Sequence, residues 1–212
     1  VSAVMDGALA RGTTIVLARG GKVLQYAGDN ILAAFGADEA AEDDAERAVR
    51  CGLALLELGR AVGAEVLSAC GYRGFNFRVG VHTGAVLLGG GVDKEGTIRG
   101  SSVNIAARME QTAPAGGLRI SHDTYTQVRG VFDAEVQEPL AVKGVDAPVR
   151  SYLVLRAKLR AFRTTTRGIE GVATRMVGRD AELEALQEAF KRLFAERRLA
   201  QELMLGGVPT AT

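Results

Sequence analysis

Apolar side chains recur at helical spacing near the start of the chain and predict a helix over residues 3–18. The apolar positions are Val4, Met5, Leu9, Ile15 and Val16. Gly20 and Gly21, which come next, are typical of a helix end. Two short β-leaning runs follow at residues 22–27 and 31–35, and the Gly-Asp-Asn sequence between them predicts a tight hairpin.

A second helix is predicted after residue 38. Its opening is acidic, which suits the positive end of the helix dipole, and Val49, Leu53 and Leu56 form its apolar stripe. Residues 75–88 alternate as a strand, with a glycine-rich loop behind them.

The pattern then changes again to a helix. It is predicted from the serine N-cap candidates at 101–102 to Thr112. After it come a strand at 118–121, a short helix at 122–129 and two or three strands within 131–155. This mixture predicts one α+β unit with an antiparallel sheet.

The chain becomes basic behind this unit. Residues 156–175 hold six Arg or Lys against one Glu, which is typical of a linker, and a helix with one apolar face follows. We therefore predict a first domain over residues 1–156, a linker over 157–175 and the start of another domain over 176–212.

Composition narrows the class of protein. The 212 residues carry a net charge of +1, so nucleic acid is not an expected partner. No apolar stretch approaches the ~20 residues of a membrane span, so we expect a cytoplasmic protein that does not bind membranes. Cys51 and Cys70 are too few for a disulfide framework, and we expect two buried thiols.

Three features are candidates for chemistry, each with an ordinary alternative. Asp29 at the hairpin tip is either a turn former or a hard oxygen ligand for Mg²⁺ or Mn²⁺. Asn104 and Arg108 share a stripe of one helix, which is either a phosphate site or a solvated face. Lys143 in its turn is either exposed or a point charge on a terminal phosphate. His82, on a strand without a second ligand nearby, is expected to be structural.

Three segments together resemble the class III nucleotide cyclases, the adenylate and guanylate cyclase catalytic domains. Residues 20–36 (GGKVLQYAGDNILAAFG) resemble their metal-binding hairpin. Residues 77–84 (FRVGVHTG) are similar to their central strand, and residues 100–110 (GSSVNIAARME) to the catalytic helix. The resemblance covers residues 1–156 and implies a ferredoxin-like α+β fold of the βαββαβ type, with helices packed on an antiparallel sheet.

The resemblance also implies an activity. In this family the ribose 3′-hydroxyl of ATP or GTP attacks the α-phosphate, with two Mg²⁺ or Mn²⁺ held by two aspartates. Asp29 would be one of these ligands, and Asn104 would orient the ribose. Arg108 would stabilise the transition state, and Lys143 would contact the distal phosphates. The family's sites are shared between two protomers, so a homodimer is expected.

The sequence departs from the family pattern in two places. The first strand, which carries the second metal aspartate, is absent, so we expect an impaired fragment with one metal ligand missing. The positions that read the base hold Gln25 and Thr97, which leaves the choice between ATP and GTP open.

Residues 177–183 (VGRDAEL) resemble the opening of ATPase modules that are fused to such cyclases. In this sequence Gly206-Gly207 is not followed by the Lys of a phosphate loop, so we expect no ATP hydrolysis by this tail.

The expected function is therefore cyclic nucleotide synthesis in intracellular signalling, with cAMP from ATP as the expected product. The alternative is a non-catalytic module that regulates or dimerises. A diguanylate cyclase would need an acidic residue where Asn30 stands.

Overall fold

The computed structural model describes residues 2–86, 100–158, 178, 181–182, 184–189 and 192. The chain divides into two compact units, residues 1–167 and 168–212. In the second unit, residues 181–182, 184–189 and 192 are helical. Most of the predicted linker and of the segment behind it lies outside the described residues.

The first unit has the predicted alternation of helices and strands. Its elements are α1 (Ser2–Ala18), β1 (Lys22–Ala27), β2 (Asn30–Ala34), α2 (Asp44–Cys70), β3 (Val79–Val81), α3 (Ser101–Thr112), β4 (Leu118–Ser121), α4 (His122–Val128), β5 (Phe132–Leu140) and β6 (Val149–Ala157). No helix in the described part of the chain is long and apolar enough to cross a membrane.

The strands of the described residues form two sheets. β1 and β2 pair as the predicted antiparallel hairpin, and the other strands form a sheet in the order β3-β4-β6-β5. β6 is antiparallel to both of its neighbours, whereas β3 and β4 are parallel. The α+β fold is confirmed, and the parallel pair follows from α3, because a helical crossover returns the chain to the same end of the sheet.

β3 is shorter than the strand predicted over residues 75–88. It pairs with β4 at only three positions, because β4 itself has four residues. The residues before β3 pack on α2 instead. A Cβ on Gly59 would lie 2.9 Å from Phe77 Cγ, and one on Gly63 would lie 3.0 Å from the Phe75 carbonyl oxygen. These helical glycines let the chain run close to α2.

Helices cover both faces of β3. Val79 Cγ1 lies 3.1 Å from the position of a Cβ on Gly52 of α2, so Val79 faces that helix. Gly80 faces the other way, against α3. A Cβ on Gly80 would overlap the Ala106 carbonyl oxygen and the Glu110 amide nitrogen, and would lie 2.8 Å from Glu110 Cα. Only glycine lets the backbones of β3 and α3 approach so closely.

Each face of the sheet has its own apolar cluster. The cluster under α2 and α4 is built from Ala45, Val49, Leu56, Leu118, Ile120, Val128, Val131, Phe132, Tyr152 and Val154. On the α3 side, Ile105 and Met109 pack with Val142 of the β5–β6 turn. The second cluster ties α3 to that turn.

A polar network anchors the chain that leaves β3. The Nδ1 atom of the buried His82 ring lies 2.8 Å from Ser121 Oγ. Further along, Ser102 Oγ donates a hydrogen bond to the Ala85 carbonyl oxygen at 2.7 Å. These contacts hold residues 82 and 85 against β4 and the first turn of α3.

The two cysteines differ. Cys51 is buried, and burial raises the pKa of its thiol to about 11. The expectation of a buried thiol is wrong for Cys70, which is exposed because it is the last residue of α2.

We expect Gly80→Ala to force α3 away from β3. Overpacking of this kind typically costs ~1–3 kcal/mol, measurable as the free energy of unfolding in urea. Gly7→Ala is the matched control, because a Cβ on Gly7 meets nothing within 4 Å. An unchanged unfolding free energy in Gly80→Ala would show that α3 does not depend on this contact.

Stability should also depend on pH through His82. Burial lowers the pKa of His82 from its ordinary 6.5, and the Asp123 carboxylate partly offsets this. His82 of the unfolded chain therefore becomes protonated near pH 6.5, whereas His82 of the folded chain stays neutral until a lower pH. The free energy of unfolding therefore falls as the pH falls from 6.5 through the folded pKa. Between about pH 7.5 and about pH 5.5, the unfolding free energy should fall more steeply in the parent chain than in His82→Asn. Parallel curves would contradict this.

Candidate functional site

Asp29 lies at the tip of the β1–β2 hairpin. The register pairs Ala27 with Asn30, so the turn consists of Gly28 and Asp29 alone. Gly28 has a φ of +64°, a conformation that glycine adopts readily. The Asp29 side chain is exposed beyond the end of the sheet. A carboxylate in this position can reach a ligand without disturbing either strand.

The polar stripe of α3 faces away from the protein core. Ile105 and Met109 are buried, whereas Asn104 and Arg108 are exposed. This separation follows from the helical period, which places the buried pair on the opposite side from solvent. The amide and the guanidinium are therefore available together on one surface.

Lys143 lies in the turn that α3 holds in place. Its neighbour Val142 is buried against Ile105 and Met109, while Lys143 itself is exposed. Gly144 closes the turn with a φ of +82°. The structure thus fixes the turn that carries Lys143 against the helix that carries Arg108.

The charge of Asp29 acts on another residue of α3, Glu110. The half-buried Glu110 carboxyl has a raised pKa because of burial, and the negative charge of Asp29 raises it further, while Arg78 lowers it. Asp29, Arg78 and Glu110 therefore form one electrostatic cluster beside β3.

Arg108 lies on a different flank of α3 from Glu110. Burial lowers the pKa of Arg119 on β4, and the positive charge of Arg108 lowers it further. Positions 108 and 110 of a helix are separated by about 200° of rotation, so they cannot share a side. Arg108 and Glu110 therefore project from different sides of α3.

The positions that the resemblance assigns to base reading are not both described. Gln25 is exposed on β1 opposite Leu32, next to a register irregularity that begins at Val23. Thr97 lies outside the described residues. The assignment of these two residues stays a prediction.

The donor chemistry of Asp29 suits a divalent cation. An exposed carboxylate is a hard oxygen ligand of the kind that Mg²⁺ and Mn²⁺ prefer. Within the described residues, no group of three or more His, Cys, Asp or Glu side chains is arranged to hold a metal ion. Asp29 is therefore one fitting ligand that the described part of the chain offers.

Sequence reasoning missed Glu110 and Arg119. Glu110 gave no signal, since an acid two positions after Arg108 looks like any helix surface residue. Arg119 did give a signal, because it is a charged residue inside a strand of four residues. The structure shows all four of them to be buried. Such a charge must find partners within the fold.

Comparison with known proteins shows the family of the chain. Residues 14–156 match the model of the family described as "Adenylate and Guanylate cyclase catalytic domain". The chain is 31% identical over 165 residues to "Adenylate cyclase 1" of Rhizobium meliloti (strain 1021), covering 73% of this chain and 24% of that protein.

Solved structures show the same fold. The adenylyl cyclase CyaB from P. aeruginosa superposes with a TM-score of 0.70 at 29% identity, covering 76% of this chain and 84% of that one. The guanylate cyclase domain of RhGC from Catenaria anguillulae, solved with GTP, gives a TM-score of 0.63 at 27% identity, covering 74% and 84%.

The chain spans about a quarter of the length of the curated relative it matches. The family match covers the hairpin, α3 and the turn that carries Lys143, which are the parts that hold the candidate residues. This chain belongs to the adenylate and guanylate cyclase catalytic domain family.

Proposed function

We propose that this chain converts a nucleoside triphosphate into a 3′,5′-cyclic nucleotide and pyrophosphate, as an intracellular signal made in the cytoplasm. The observation that carries the proposal is the exposed stripe of Asn104 and Arg108, with the turn of Lys143 packed against its helix. A purely solvated helix face has no need of a basic turn held beside it.

The reaction needs groups that these side chains supply. The ribose 3′-oxygen bonds to the α-phosphorus, the bond from that phosphorus to the pyrophosphate oxygen breaks, and the hydroxyl proton is lost. Asn104 would hold the ribose, and the Arg108 guanidinium would donate hydrogen bonds to the charged phosphoryl oxygens. Lys143 would hold the distal phosphates as a point charge.

Two Mg²⁺ or Mn²⁺ ions would supply an activated hydroxyl and a neutralised leaving group. Asp29 fits as one of their ligands. Its place at an exposed turn lets it approach a substrate that lies beyond its own chain.

We also propose a homodimer with shared sites, and the two flanks of α3 support it. The charge of Asp29 acts on Glu110 of one flank, and the charge of Arg108 acts on Arg119 on the other. One substrate must meet both Asp29 and Arg108, so they would come from different chains. A symmetric pair lets each chain contribute half of both sites.

The proposed substrate is ATP. The relative named "Adenylate cyclase 1" supports this choice, whereas the RhGC domain was solved with GTP. Gln25 and Thr97 would contact the base. Neither side chain is charged, so the two nucleotides must be compared directly, by measuring cAMP and cGMP from equal concentrations of ATP and GTP.

Arg108→Ala should lower kcat about 10²–10³-fold, the usual cost of removing one donor to a developing charge. Formation of cyclic nucleotide with Mg²⁺ or Mn²⁺ is the measurement. Arg156→Ala is the matched control, because Arg156 is exposed on β6 and pairs with Asp133 at 2.9 Å. Equal activity of Arg108→Ala and Arg156→Ala would show that Arg108 does not take part in the reaction.

Mixing Asp29→Ala with Arg108→Ala should restore part of the activity that each variant lacks alone. Some heterodimers then contain one site free of both substitutions. The measurement is the rate of cyclic nucleotide formation before and after mixing, with heterodimers confirmed by two affinity tags. Heterodimers without any recovered activity would place the whole site within one chain.

The second candidate function is a non-catalytic module that dimerises and regulates. The observation in its favour is that Asp29 has no complete ligand group around it among the described residues. Nucleotide binding and dimerisation without product, at high protein concentration and with either ion, would support this alternative.

A further inference from the structure

Arg119 is the one charged residue that is buried in the described part of the chain, with a relative exposure of 7%. A cation in this position needs several hydrogen bonds to offset the loss of water. All three of its hydrogen-bond acceptors are neutral oxygens. A leucine or valine would fill the strand position without this cost, so the guanidinium calls for a reason beyond packing.

The three bonds of Arg119 join three elements. Nη1 donates to the carbonyl oxygen of Thr112, the last residue of α3, at 3.0 Å. Nη2 donates to the Glu138 carbonyl oxygen of β5 at 2.9 Å. Nε donates to Ser151 Oγ of β6 at 3.0 Å. The planar fork thus fixes the end of α3 to both strands that flank the Lys143 turn.

A further hydrogen bond connects Thr112, which accepts from Arg119, to Arg108. Thr112 Oγ1 donates to the Arg108 carbonyl oxygen at 2.6 Å, so the residue that Arg119 binds is itself tied to the backbone of Arg108. Burial lowers the pKa of Arg119, and the positive charge of Arg108 lowers it further. The Arg108 side chain is itself exposed, so an anion can reach it from solvent.

The Lys143 turn is also held against α3 by apolar packing at the end of β5. β5 passes Glu138 and ends at Leu140, which packs with Val142 and Met109. Apolar packing therefore presses the turn against α3, and Arg119 sets the distance between the helix end and the strand that enters the turn.

We propose that Arg119 is a positioning residue that fixes the spacing between Arg108 and Lys143, and hence between the groups that hold the α-phosphate and the distal phosphates. The roles of Arg108 and Lys143 rest on the proposed function. Arg119 itself does not touch the nucleotide.

The test is a double-mutant cycle. Arg119→Lys keeps the charge but loses the fork, and should lower kcat about tenfold. In an Arg108→Ala background it should lower kcat by less than about twofold, because Arg119 acts through Arg108. Independent, additive losses would overturn the proposal. Arg156→Lys is the control and should leave kcat unchanged in both backgrounds.

Folding is checked separately by urea unfolding. If Arg119→Lys does not fold, Ser151→Ala replaces it in the cycle. This variant removes the acceptor of Nε and the longer hydrogen bond, 3.3 Å, that Ser151 Oγ donates to the Glu138 carbonyl oxygen, and it leaves the Arg119 side chain in place. It should lower kcat about threefold in the parent background and leave Arg108→Ala unaffected. Equal loss in both backgrounds counts against the proposal.

A spectroscopic measurement separates this inference from the proposed function. Backbone amide resonances of residues 104–112 and 141–148 should shift in Arg119→Lys, while those of α1 stay in place. If the parent chain forms no cyclic nucleotide, the proposed function fails, but these shifts still show whether Arg119 positions the helix and the turn. Unshifted resonances in a folded Arg119→Lys protein would refute the positioning role.

Discussion

The backbone of α3 lies directly against the backbone of β3 at Gly80, and the arrangement of the site depends on this contact. With any side chain at this position, α3 would have to shift away from β3, because a Cβ would meet backbone atoms rather than a movable side chain. The contact also fixes the rotation of α3. With Glu110 directed to the β3 flank, the helical period places Arg108 on the β4 flank.

The glycines of α2 allow a similarly close approach on the opposite face of β3. Gly52 and Gly59 let Val79 and Phe77 pack closely on α2, so β3 lies between α2 and α3. A strand with three paired positions has few ladder hydrogen bonds of its own. Close packing on both faces supplies the constraint that a longer ladder would otherwise give.

The sequence predicted local structure well and spatial neighbours poorly. The hairpin around Asp29 and the helix with Asn104 were predictable, because turn type and helical spacing depend on residues that are close together in the sequence. The short extent of β3 was not, since it depends on the length of a partner strand about 40 positions away. The exposure of Cys70 was missed because a helix-end residue is covered only if another element reaches it.

The exposed position of Asp29 at a hairpin tip has a consequence for kinetics under the shared sites that we propose. If each site needs Asp29 of one chain and Arg108 of another, product formation by chains that are scarce relative to their dimer dissociation constant would rise with the square of their concentration. Local enrichment of the chain by a tether, a scaffold or higher expression would then raise output more than linearly. The frequency with which chains meet would itself be a variable that a cell can regulate.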